Sequence, residues 1–458
     1  MKLLKVAAAT LNTTPLDWDG NARAIRAALA SARAAGVTLL CAPELCISGY
    51  GCEDAFHSRG MQERALEVLR SLAPETAGMI VSLGLPLMHQ NALLNAACLL
   101  VDGRIVGFVP KQHLAGDGIH YEPRWFKPWP SGAKGVVELA GEQIPLGDLL
   151  FDLGGVRVGF EICEDAWVAQ RPGGALSRKG LDLLLNPSAS HFAFGKHEVR
   201  ERLVAEGARA FAVTYLYANL LGNEAGRVIY DGGVLVAQNG KLLARGPRFS
   251  FADHAIAAAT VDVDATRTVQ SRTASYSPEF GVEADVKVAF RFPDCPAQPE
   301  VELAPDPYSS KEEEFTRAVS LALFDYLRKS RSEGFVVSLS GGCDSTVVAT
   351  LCSLMVELGW AQLGREAFLA KLGHVRGLAE ARTVPEAVGK LLTCVYQSTR
   401  NSGQVTRDAA SGVAEAIGAR FLELDVDAMV AGYTGLVERA LGAPFSWSRD
   451  DVTLQNGA

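Results

Sequence analysis

The sequence lacks two features that large classes of protein require: long apolar runs and an excess of positive charge. No uninterrupted apolar run reaches about 18 residues, so a membrane-spanning helix is not expected. The 44 Lys and Arg residues and 52 Asp and Glu residues give a formal net charge of −8 at pH 7. A chain that neutralises phosphate backbones has the opposite sign, so neither a membrane nor a nucleic acid is an expected partner.

Cysteine is scarce and has no framework spacing. The nine cysteines are Cys41, Cys46, Cys52, Cys98, Cys163, Cys295, Cys343, Cys352 and Cys394. This odd, scattered set argues against a disulfide-stapled secreted module and favours a reducing cytoplasm. The first three cysteines also lack the paired C-x2-C spacing of zinc sites. The N-terminus is slightly similar to a signal peptide, but Lys5 interrupts its short apolar run, and we interpret it as a first strand.

The remaining composition is that of a globular protein with more than one domain. Apolar residues make up 48% of the sequence and charged residues 21%. At roughly 150 residues per domain, the length predicts two or three domains. Five prolines lie between Arg291 and Tyr308, where apolar periodicity is weak, and this predicts an extended linker. We therefore expect a first domain over 1–290, a linker over 291–308 and a second domain over 309–458.

Short β-rich runs alternate with helical ones before the linker, which predicts a layered α/β domain. Strands are expected at 5–11, 37–41, 79–83, 96–101, 156–162, 181–185, 213–217 and 234–237, and a helix at 21–35. The pairs Asp102-Gly103 and Asn239-Gly240 are typical of two-residue hairpins, so some strands are antiparallel neighbours. After the linker, a strand at 335–339, a glycine turn and a helix from about 345 to 358 predict a parallel α/β domain with a ligand at the strand's carboxyl end.

Three predicted strand ends in the first domain carry reactive side chains: Glu44, Lys111 and Cys163. Taken singly, such residues are usually solvated rim charges or inert core thiols. The acidic neighbours of Cys163 would raise the pKa of its thiol and reduce its reactivity, unless a base and a cation lie close to it. Glu44 and Lys111 would supply these two functions.

The motifs around these residues resemble the nitrilase, or carbon-nitrogen hydrolase, superfamily. They are Pro43-Glu44-Leu45 with Gly49-Tyr50, then Lys111 with Leu114, then Glu122-Pro123-Arg124-Trp125-Phe126, and then Ile162-Cys163-Glu164-Asp165-Ala166-Trp167. The resemblance covers about residues 1–290 and implies a four-layer α-β-β-α sandwich with a Glu44-Lys111-Cys163 catalytic site. It further implies that Glu122, Ser188 and Ser190 contact the substrate, and His191 is a further candidate for this pocket. In such a site the thiolate attacks a carboxamide carbon, the glutamate moves the proton, and the lysine stabilises the oxyanion.

A second motif, Ser340-Gly341-Gly342-Cys343-Asp344-Ser345, lies between the predicted strand and helix after the linker. Its glycines allow backbone amides to surround an anion, and its hydroxyls add donors at a helix N-terminus, which predicts a phosphate site. It contains no lysine and is therefore not a Walker loop. It resembles the pyrophosphate loop of the ATP pyrophosphatases, which implies ATP binding by Ser340, Gly341, Gly342, Asp344 and Ser345, with Asp344 as a ligand of Mg²⁺. The fold implied is a partial Rossmann-like parallel α/β domain of the adenine nucleotide α-hydrolase type.

A polar turn further along resembles the second substrate-binding turn of NAD synthetases and implies nucleotide contacts for Thr399, Arg400 and Thr406. The combination of domains resembles the glutamine-dependent NAD(+) synthetases. These enzymes convert nicotinic acid adenine dinucleotide, ATP and glutamine to NAD⁺, AMP, pyrophosphate and glutamate. The resemblance implies Mg²⁺ as a cofactor, no prosthetic group, and a homo-oligomer.

One departure from that family leaves alternatives open. The synthetase domain of the family continues past the segment that matches Asp450–Asn456, so we expect this domain to be incomplete at its C-terminus. The chain could therefore be an amidotransferase-ligase, or an amidase whose second half is an inactive remnant. In a third hypothesis the second half only senses nucleotides or forms oligomers.

Overall fold

The contacts of the chain divide it into two units, Met1–Lys329 and Ser330–Ala458. The computed structural model describes residues 1–297, 303–304, 306–308 and 310–446. The segment Asp450–Asn456 and two linker prolines, Pro299 and Pro305, lie outside the described residues. The helix that follows the linker packs within the first unit up to Lys329. The domain bounds at 290 and 308 remain predictions.

Within the described residues, sixteen strands of the first unit form one curled, hydrogen-bonded sheet. In chain order they are β1 (Leu3–Leu11), β2 (Leu39–Cys41), β3 (Ile80–His89), β4 (Ala92–Val101), β5 (Arg104–Pro110), β6 (Lys134–Leu139), β7 (Glu142–Gly147), β8 (Phe151–Leu153), β9 (Val156–Phe160), β10 (Leu183–Ser188), β11 (Thr214–Asn223), β12 (Ile229–Asp231), β13 (Leu235–Gln238), β14 (Lys241–Arg245), β15 (His254–Asp262) and β16 (Val286–Val288). The main order is β16-β8-β9-β10-β11-β1-β2-β3-β4-β5-β7-β6.

Within the described residues this unit has seven α-helices, some of which pack on the outer faces of the sheet. They are α1 (Trp18–Ala34), α2 (Arg59–Leu72), α3 (Glu122–Trp125), α4 (Pro172–Arg178), α5 (Lys196–Ala210), α6 (Val263–Arg272) and α7 (Lys311–Ser330). One apolar cluster joins α1 and α2 to the outer face of β1, β3 and β4, and another joins α4 and α5 to β10, β11 and β13. A third cluster lies between the two halves of the sheet. The predicted four-layer α-β-β-α sandwich is therefore confirmed.

Strand β1 shows why the sheet can be covered on both faces. Its residues alternate between two cores, because Ala7, Ala9 and Leu11 join the helix-facing cluster while Val6 and Ala8 join the cluster between the sheet halves. A strand buried on both faces reads as a continuous apolar run, as this one does. The strand pairs in parallel with β2 and β11 and in antiparallel with β15.

Both predicted hairpins are confirmed. Asp102-Gly103 joins β4 to β5, and Asn239-Gly240 joins β13 to β14. All four turn residues have positive φ, from +50° to +84°, as a two-residue type I′ turn requires.

The predicted reactive residues follow strands of this sheet. Glu44 lies three residues beyond β2, Lys111 directly follows β5, and Cys163 opens a short 3₁₀ turn, Cys163–Ala166, after β9. Strands β9 and β10 are parallel neighbours, so Ser188 at the end of β10 and Cys163 after β9 lie at the same edge of the sheet. The topology thus brings residues that are distant in sequence to one region.

The second unit is a parallel three-stranded sheet with helices. Its strands are β17 (Phe335–Ser338), β18 (Leu392–Ser398) and β19 (Arg420–Asp425), in that order. Its helices are α8 (Cys343–Leu363), α9 (Arg365–Lys371), α10 (Val384–Leu391), α11 (Gln404–Ala416) and α12 (Asp427–Leu441). The predicted strand, glycine turn and helix are confirmed as β17, the following loop and α8. Among the described residues, α8 is the one helix with the length and mean hydropathy of a membrane span, and it packs against β17 and β18.

Candidate active site

The structure brings Glu44, Lys111 and Glu122 into direct contact inside the first unit. Lys111 Nζ lies 2.7 Å from Glu44 Oε1 and 2.7 Å from Glu122 Oε1. All three side chains are at most 1% exposed. The Tyr50 hydroxyl donates to Glu122 Oε1 at 2.6 Å, and the backbone N–H of Ala115 donates to the other oxygen at 3.0 Å. The two buried carboxylates therefore share one cation, and the Glu122 carboxylate accepts two further hydrogen bonds.

Backbone and side-chain donors fix the Glu44 carboxylate. Asn95 Nδ2 donates to Oε1 at 2.7 Å, and the backbone N–H of Ala189 donates to Oε2 at 2.9 Å. Gly84 on β3 makes this position possible, because a Cβ there would lie 2.3 Å from the backbone nitrogen of Leu45. Any side chain at this glycine would displace the turn that carries Glu44.

The Cys163 thiol sits on a strained turn that Asp165 supports. Cys163 has φ +46°, an uncommon conformation for a residue with a side chain, and is 6% exposed. Asp165 accepts from the backbone N–H of Ile162 at 2.9 Å and from that of His113 at 2.7 Å. The Asp165 carboxylate therefore ties the turn after β9, which carries the thiol, to the turn after β5, which carries the lysine.

The environment shifts the pKa of each group in the triad. Burial raises the pKa of the Glu44 carboxyl to about 7, with Lys111 opposing the shift and Glu122 adding to it. Burial works to lower the pKa of Lys111, but Glu122 and Glu44 together hold it well above its usual value. Burial and then the Glu44 carboxylate raise the pKa of the Cys163 thiol to about 12. The thiol therefore rests protonated beside a carboxyl whose pKa suits a base at neutral pH.

The predicted pocket serines lie at the C-terminal end of β10 and just beyond it. Ser188 Oγ donates to Asn186 Oδ1 at 2.6 Å, and the same oxygen accepts from the backbone N–H of Cys163 at 3.2 Å. Ser190 Oγ accepts from Arg200 Nε at 3.2 Å. Both serines are buried. Ser188 thus reaches Cys163 through an asparagine, and the substrate contacts of both serines remain predictions.

His191 belongs to the polar shell of the same site. Its Nδ1 lies 2.8 Å from His120 Nε2, and His120 Nδ1 lies 3.3 Å from the Tyr50 hydroxyl. Burial and then the adjacent Lys196 lower the pKa of His191 to about 4. The imidazole is therefore neutral at physiological pH and links Tyr50 to the region of Lys196.

In the second unit, the predicted phosphate loop is preorganised by its own hydroxyls. Ser340 Oγ lies 3.1 Å from Ser345 Oγ and accepts from the backbone N–H of Gly342 at 3.3 Å. Asp344 lies in the first turn of α8, is exposed, and forms no ion pair with any described residue. Serines, amides and a free carboxylate thus cluster at the end of β17, where open parallel sheets bind ligands.

The second predicted turn lies against this loop. Gly341 has φ +78°, and a Cβ there would lie 2.4 Å from the carbonyl oxygen of Thr406. Thr406 Oγ1 lies 2.8 Å from the Tyr396 hydroxyl. Arg400 is exposed and pairs with Asp427 at 2.6 Å, while Thr399 Oγ1 accepts from the backbone N–H of Asn401 at 3.3 Å. The structure therefore places Thr406 beside the loop, and the nucleotide contacts of all three residues remain predictions.

Comparison with known families covers both units. The sequence matches the Carbon-nitrogen hydrolase family over residues 5–270 and the NAD synthase family over residues 315–443. The glutamine-dependent NAD(+) synthetase of Oryza sativa subsp. indica is 32% identical over 472 residues, covering 96% of this chain and 63% of the rice protein. The Bos taurus protein of the same name is 30% identical over 487 residues, covering 98% of this chain and 68% of its own length.

A solved structure agrees with these matches. The crystal structure of a glutamine-dependent NAD(+) synthetase from Cytophaga hutchinsonii superposes with a TM-score of 0.83 at 39% identity, covering 100% of this chain and 70% of that one. The chain thus spans about two thirds of the length of these relatives. Because the Bos taurus relative is 30% identical and more than two thirds of its length is covered, the chain belongs to the glutamine-dependent NAD(+) synthetase family.

Proposed function

We propose that this chain hydrolyses glutamine in its first unit and uses the ammonia in an ATP-dependent amidation of nicotinic acid adenine dinucleotide to NAD⁺. One observation carries the proposal: a buried Glu44-Lys111 ion pair lies within electrostatic reach of the Cys163 thiol, in a chain whose second unit carries a hydroxyl-lined glycine loop. The first arrangement suits amide hydrolysis and the second suits pyrophosphate binding. The products of the whole reaction are NAD⁺, AMP, pyrophosphate and glutamate.

The proposed hydrolysis begins with proton transfer from the Cys163 thiol to Glu44. The thiolate attacks the carboxamide carbon, and Lys111 stabilises the charge that develops on the carbonyl oxygen. Glu44 gives its proton to the departing ammonia, and a thioester remains. Water, deprotonated by Glu44, then attacks the thioester carbon, the Cys163 sulfur leaves as a thiolate and takes back the proton from Glu44, and glutamate is released. The triad suits these steps because the Glu44 carboxyl has a pKa of about 7 and can both accept and donate a proton near neutral pH.

The titration of Glu44 predicts a pH profile. Only the carboxylate can accept the thiol proton, so we expect kcat/KM for glutamine hydrolysis to rise with pH and level off, with a midpoint near pH 7. The hydrogen bond from Asn95 favours the carboxylate. Asn95→Ala should therefore raise the pKa of Glu44 and move the midpoint to higher pH. Initial rates of glutamate release between pH 5 and 9 would show this. A variant midpoint that stays in place or moves to lower pH would contradict the assignment of the base.

In the second unit, Ser340, Ser345 and the amides of the glycine turn would hold the phosphates of ATP. Asp344 fits a magnesium ligand because its carboxylate is exposed and unpaired at the loop. Among the described residues, no three His, Cys, Asp or Glu side chains form a metal site, so the phosphates and water would supply the other oxygen ligands. When bound, Mg²⁺ would neutralise the charge of the pyrophosphate group. Thr399, Arg400 and Thr406 would contact the nucleotide substrates.

Replacing Asp344 tests the second unit separately. Asp344→Asn removes the negative charge but keeps the size of the side chain, and we expect ATP-dependent NAD⁺ formation to fall by roughly 100-fold or more. Basal glutamine hydrolysis should persist, because Asp344 has no part in the triad. Glu366→Gln is a matched control, since Glu366 is an exposed acid in the first turn of α9. Unchanged ATP turnover in the Asp344 variant would contradict the proposed metal role.

One assay separates the proposed function from its alternatives. The protein is incubated with glutamine, with and without ATP and nicotinic acid adenine dinucleotide, while glutamate, AMP and NAD⁺ are quantified. NAD⁺ and AMP formed in equal amounts support the proposal. Glutamine hydrolysis without NAD⁺ would identify an amidase whose second unit does not catalyse. Nucleotide binding without AMP would assign a sensing role to that unit.

We also propose a cytoplasmic location and a homo-oligomeric state. All nine cysteines are free thiols, which suits a reducing compartment. The oligomer is proposed from the resemblance to the family, and sedimentation of the purified chain would test it.

A further inference from the structure

A buried ion pair lies directly before the turn that carries the thiol and takes no part in the proposed hydrolysis steps. Glu161 follows β9, and its side chain is 0% exposed. Arg171 Nη2 donates to Glu161 Oε1, and the backbone N–H of Gly173 donates to Oε2 at 3.2 Å. Burial raises the pKa of the Glu161 carboxyl, and Arg171 opposes that shift and favours the charged form. Because a buried ion pair is often no more stabilising than apolar packing of the same volume, stability is not a sufficient reason for this pair.

A chain of hydrogen bonds runs from Glu161 through β11 and β10 and returns to the nucleophile. Tyr215 on β11 donates its hydroxyl hydrogen to Glu161 Oε1, and Asn186 Nδ2 on β10 donates to the Tyr215 hydroxyl oxygen at 2.8 Å. Asn186 Oδ1 accepts from the backbone N–H of Cys163 at 3.2 Å. Both linking side chains are buried. The Glu161-Tyr215-Asn186 chain therefore begins two residues before Cys163 and ends on the backbone of Cys163 itself.

The hydrogen-bonding capacity of each group fixes the direction of this chain. A carboxylate can only accept, so the hydroxyl hydrogen of Tyr215 points to Glu161. The two lone pairs of the hydroxyl oxygen accept from Asn186 Nδ2 and from Arg171 Nη2, which lies at 3.2 Å. The Asn186 amide is therefore held with its NH₂ group toward Tyr215 and its oxygen toward Cys163. An amide turned by 180° would place two donors, its NH₂ group and the N–H of Cys163, against each other.

The turn that carries the thiol requires anchors of this kind. Cys163 has φ +46°, and such a conformation persists only where the surrounding structure holds it. The backbone N–H of Ile162 donates to Asp165, and the next N–H, that of Cys163, donates to Asn186. Ser188 Oγ donates to the same amide oxygen of Asn186 at 2.6 Å. Two successive backbone groups at the nucleophile are thus fixed by separate side chains.

We propose that the Glu161-Tyr215-Asn186 chain positions the Cys163 thiol for proton transfer to Glu44 and for attack on the amide carbon. The inference rests on the proposed hydrolysis of glutamine at Cys163. Glu161 and Tyr215 are positioning residues, because they act on the nucleophile through Asn186. The chain governs the rate of the chemical steps and not the affinity for glutamine.

Tyr215→Phe tests the chain with little change of shape. It keeps the aromatic ring and the ion pair of Glu161, but it removes the hydroxyl that joins Glu161 to Asn186. We expect kcat/KM for glutamine hydrolysis to fall by roughly 30-fold, because a reacting group misplaced by about 1 Å can lower a rate by about 10²-fold. In the Cys163→Ala background, calorimetry should give a Kd for intact glutamine that Tyr215→Phe changes by less than about twofold.

The reactivity of the thiol can also be measured without glutamine. Iodoacetamide forms a bond between its methylene carbon and the Cys163 thiolate and releases iodide, and peptide mass spectrometry follows Cys163 alone. We expect Tyr215→Phe to slow this alkylation by at least about fivefold, since a thiol displaced from Glu44 forms less thiolate.

A second tyrosine of the same unit provides the matched control. Tyr276→Phe removes a hydroxyl that donates to the carbonyl oxygen of Ser177 in α4 at 3.0 Å, outside the chain. This variant should match the wild type in glutamine hydrolysis, glutamine affinity and alkylation of Cys163.

A second variant tests whether the chain acts as a unit. In Glu161→Gln the side chain can donate as well as accept, so the order of donors along the chain is no longer fixed. If Glu161 and Tyr215 act through one chain, the double variant should lose no more activity than the more affected single variant. Thermal midpoints of all variants report whether Arg171, left without its carboxylate, destabilises the fold.

Four outcomes are decisive. Wild-type kcat/KM in Tyr215→Phe would overturn the inference, and so would losses that multiply in the double variant. A glutamine Kd that rises as much as kcat/KM falls would show that the chain shapes the pocket and does not position the thiol. A wild-type protein whose Cys163 is alkylated at a rate that depends on Tyr215, but which does not hydrolyse glutamine, would overturn the proposed function and leave the positioning of the thiol in place.

Discussion

Replacing Cys163 with alanine should abolish glutamine hydrolysis and spare synthesis driven by added ammonia. Without the sulfur atom no thioester can form, and we expect the rate of glutamate release to fall by at least about 10⁴-fold. The fold should tolerate the change, because the positive φ of this residue is set by the turn that Asp165 holds. NAD⁺ formation from ammonium, ATP and nicotinic acid adenine dinucleotide should remain within about twofold of wild type, since the nucleotide loop belongs to the second unit.

The control for this experiment is another cysteine of the same unit. Cys295→Ala removes a partly exposed thiol outside the triad and should change neither activity. Both reactions are followed in parallel, as glutamate release and as NAD⁺ formation with ammonium or with glutamine. If Cys163→Ala loses the ammonia-driven reaction as well, the division of labour between the two units is wrong. If it retains glutamine hydrolysis, the nucleophile lies elsewhere.

The sequence predicted the parts of this molecule that depend on local patterns. Alternating or continuous apolar runs located β1, β9 and β11, and the two glycine-containing pairs located hairpins. Strand β15 was not predicted, although it pairs with β1 along its full length. Its alanine-rich segment HAIAAATVD has no pattern that separates a strand from a helix, and only the neighbouring strand decides its state.

The candidate site also contains residues that a local pattern predicts and residues that only the tertiary structure reveals. Glu44, Lys111 and Cys163 were predicted because each follows an apolar run in a motif. No local signal selects Asn95, which lies inside β4 and reaches Glu44 across the sheet. The sequence indicates Asp165 as a member of the Cys163 motif and as an acid that would reduce the reactivity of the thiol. In the structure its carboxylate accepts backbone N–H groups from two turns, and this role depends on tertiary contacts that a sequence pattern does not encode.

Removing the charge of Lys111 should strongly reduce both the rate of glutamine hydrolysis and the free energy of unfolding. In Lys111→Met the oxyanion loses its cation, and we expect glutamine hydrolysis to fall by about 10³-fold. Glu44 and Glu122 then remain buried without the ammonium that lies 2.7 Å from each, and loss of one partner of a buried ion pair costs about 3–5 kcal/mol of unfolding free energy. Ammonia-driven synthesis in the folded fraction should persist.

The stability loss in Lys111→Met should grow with pH, because the two carboxylates no longer have a cation. The pKa of Glu44 is already raised to about 7 with Lys111 present. Because Lys111 favours the charged carboxylate, the loss of its ammonium raises the pKa of Glu44 further. A carboxyl whose pKa is higher in the folded state than in the unfolded state supports the fold at low pH, and that support is lost as pH rises through the folded pKa. The difference in thermal midpoint from wild type should therefore be small at pH 5 and large at pH 8. Adding Glu122→Gln should recover part of the loss at pH 8, and Lys127→Met, which removes an exposed lysine of the same unit, should show no pH-dependent difference. A decrease in thermal midpoint that is equal at pH 5 and pH 8 would mean that Lys111 stabilises the fold by packing and not by its charge.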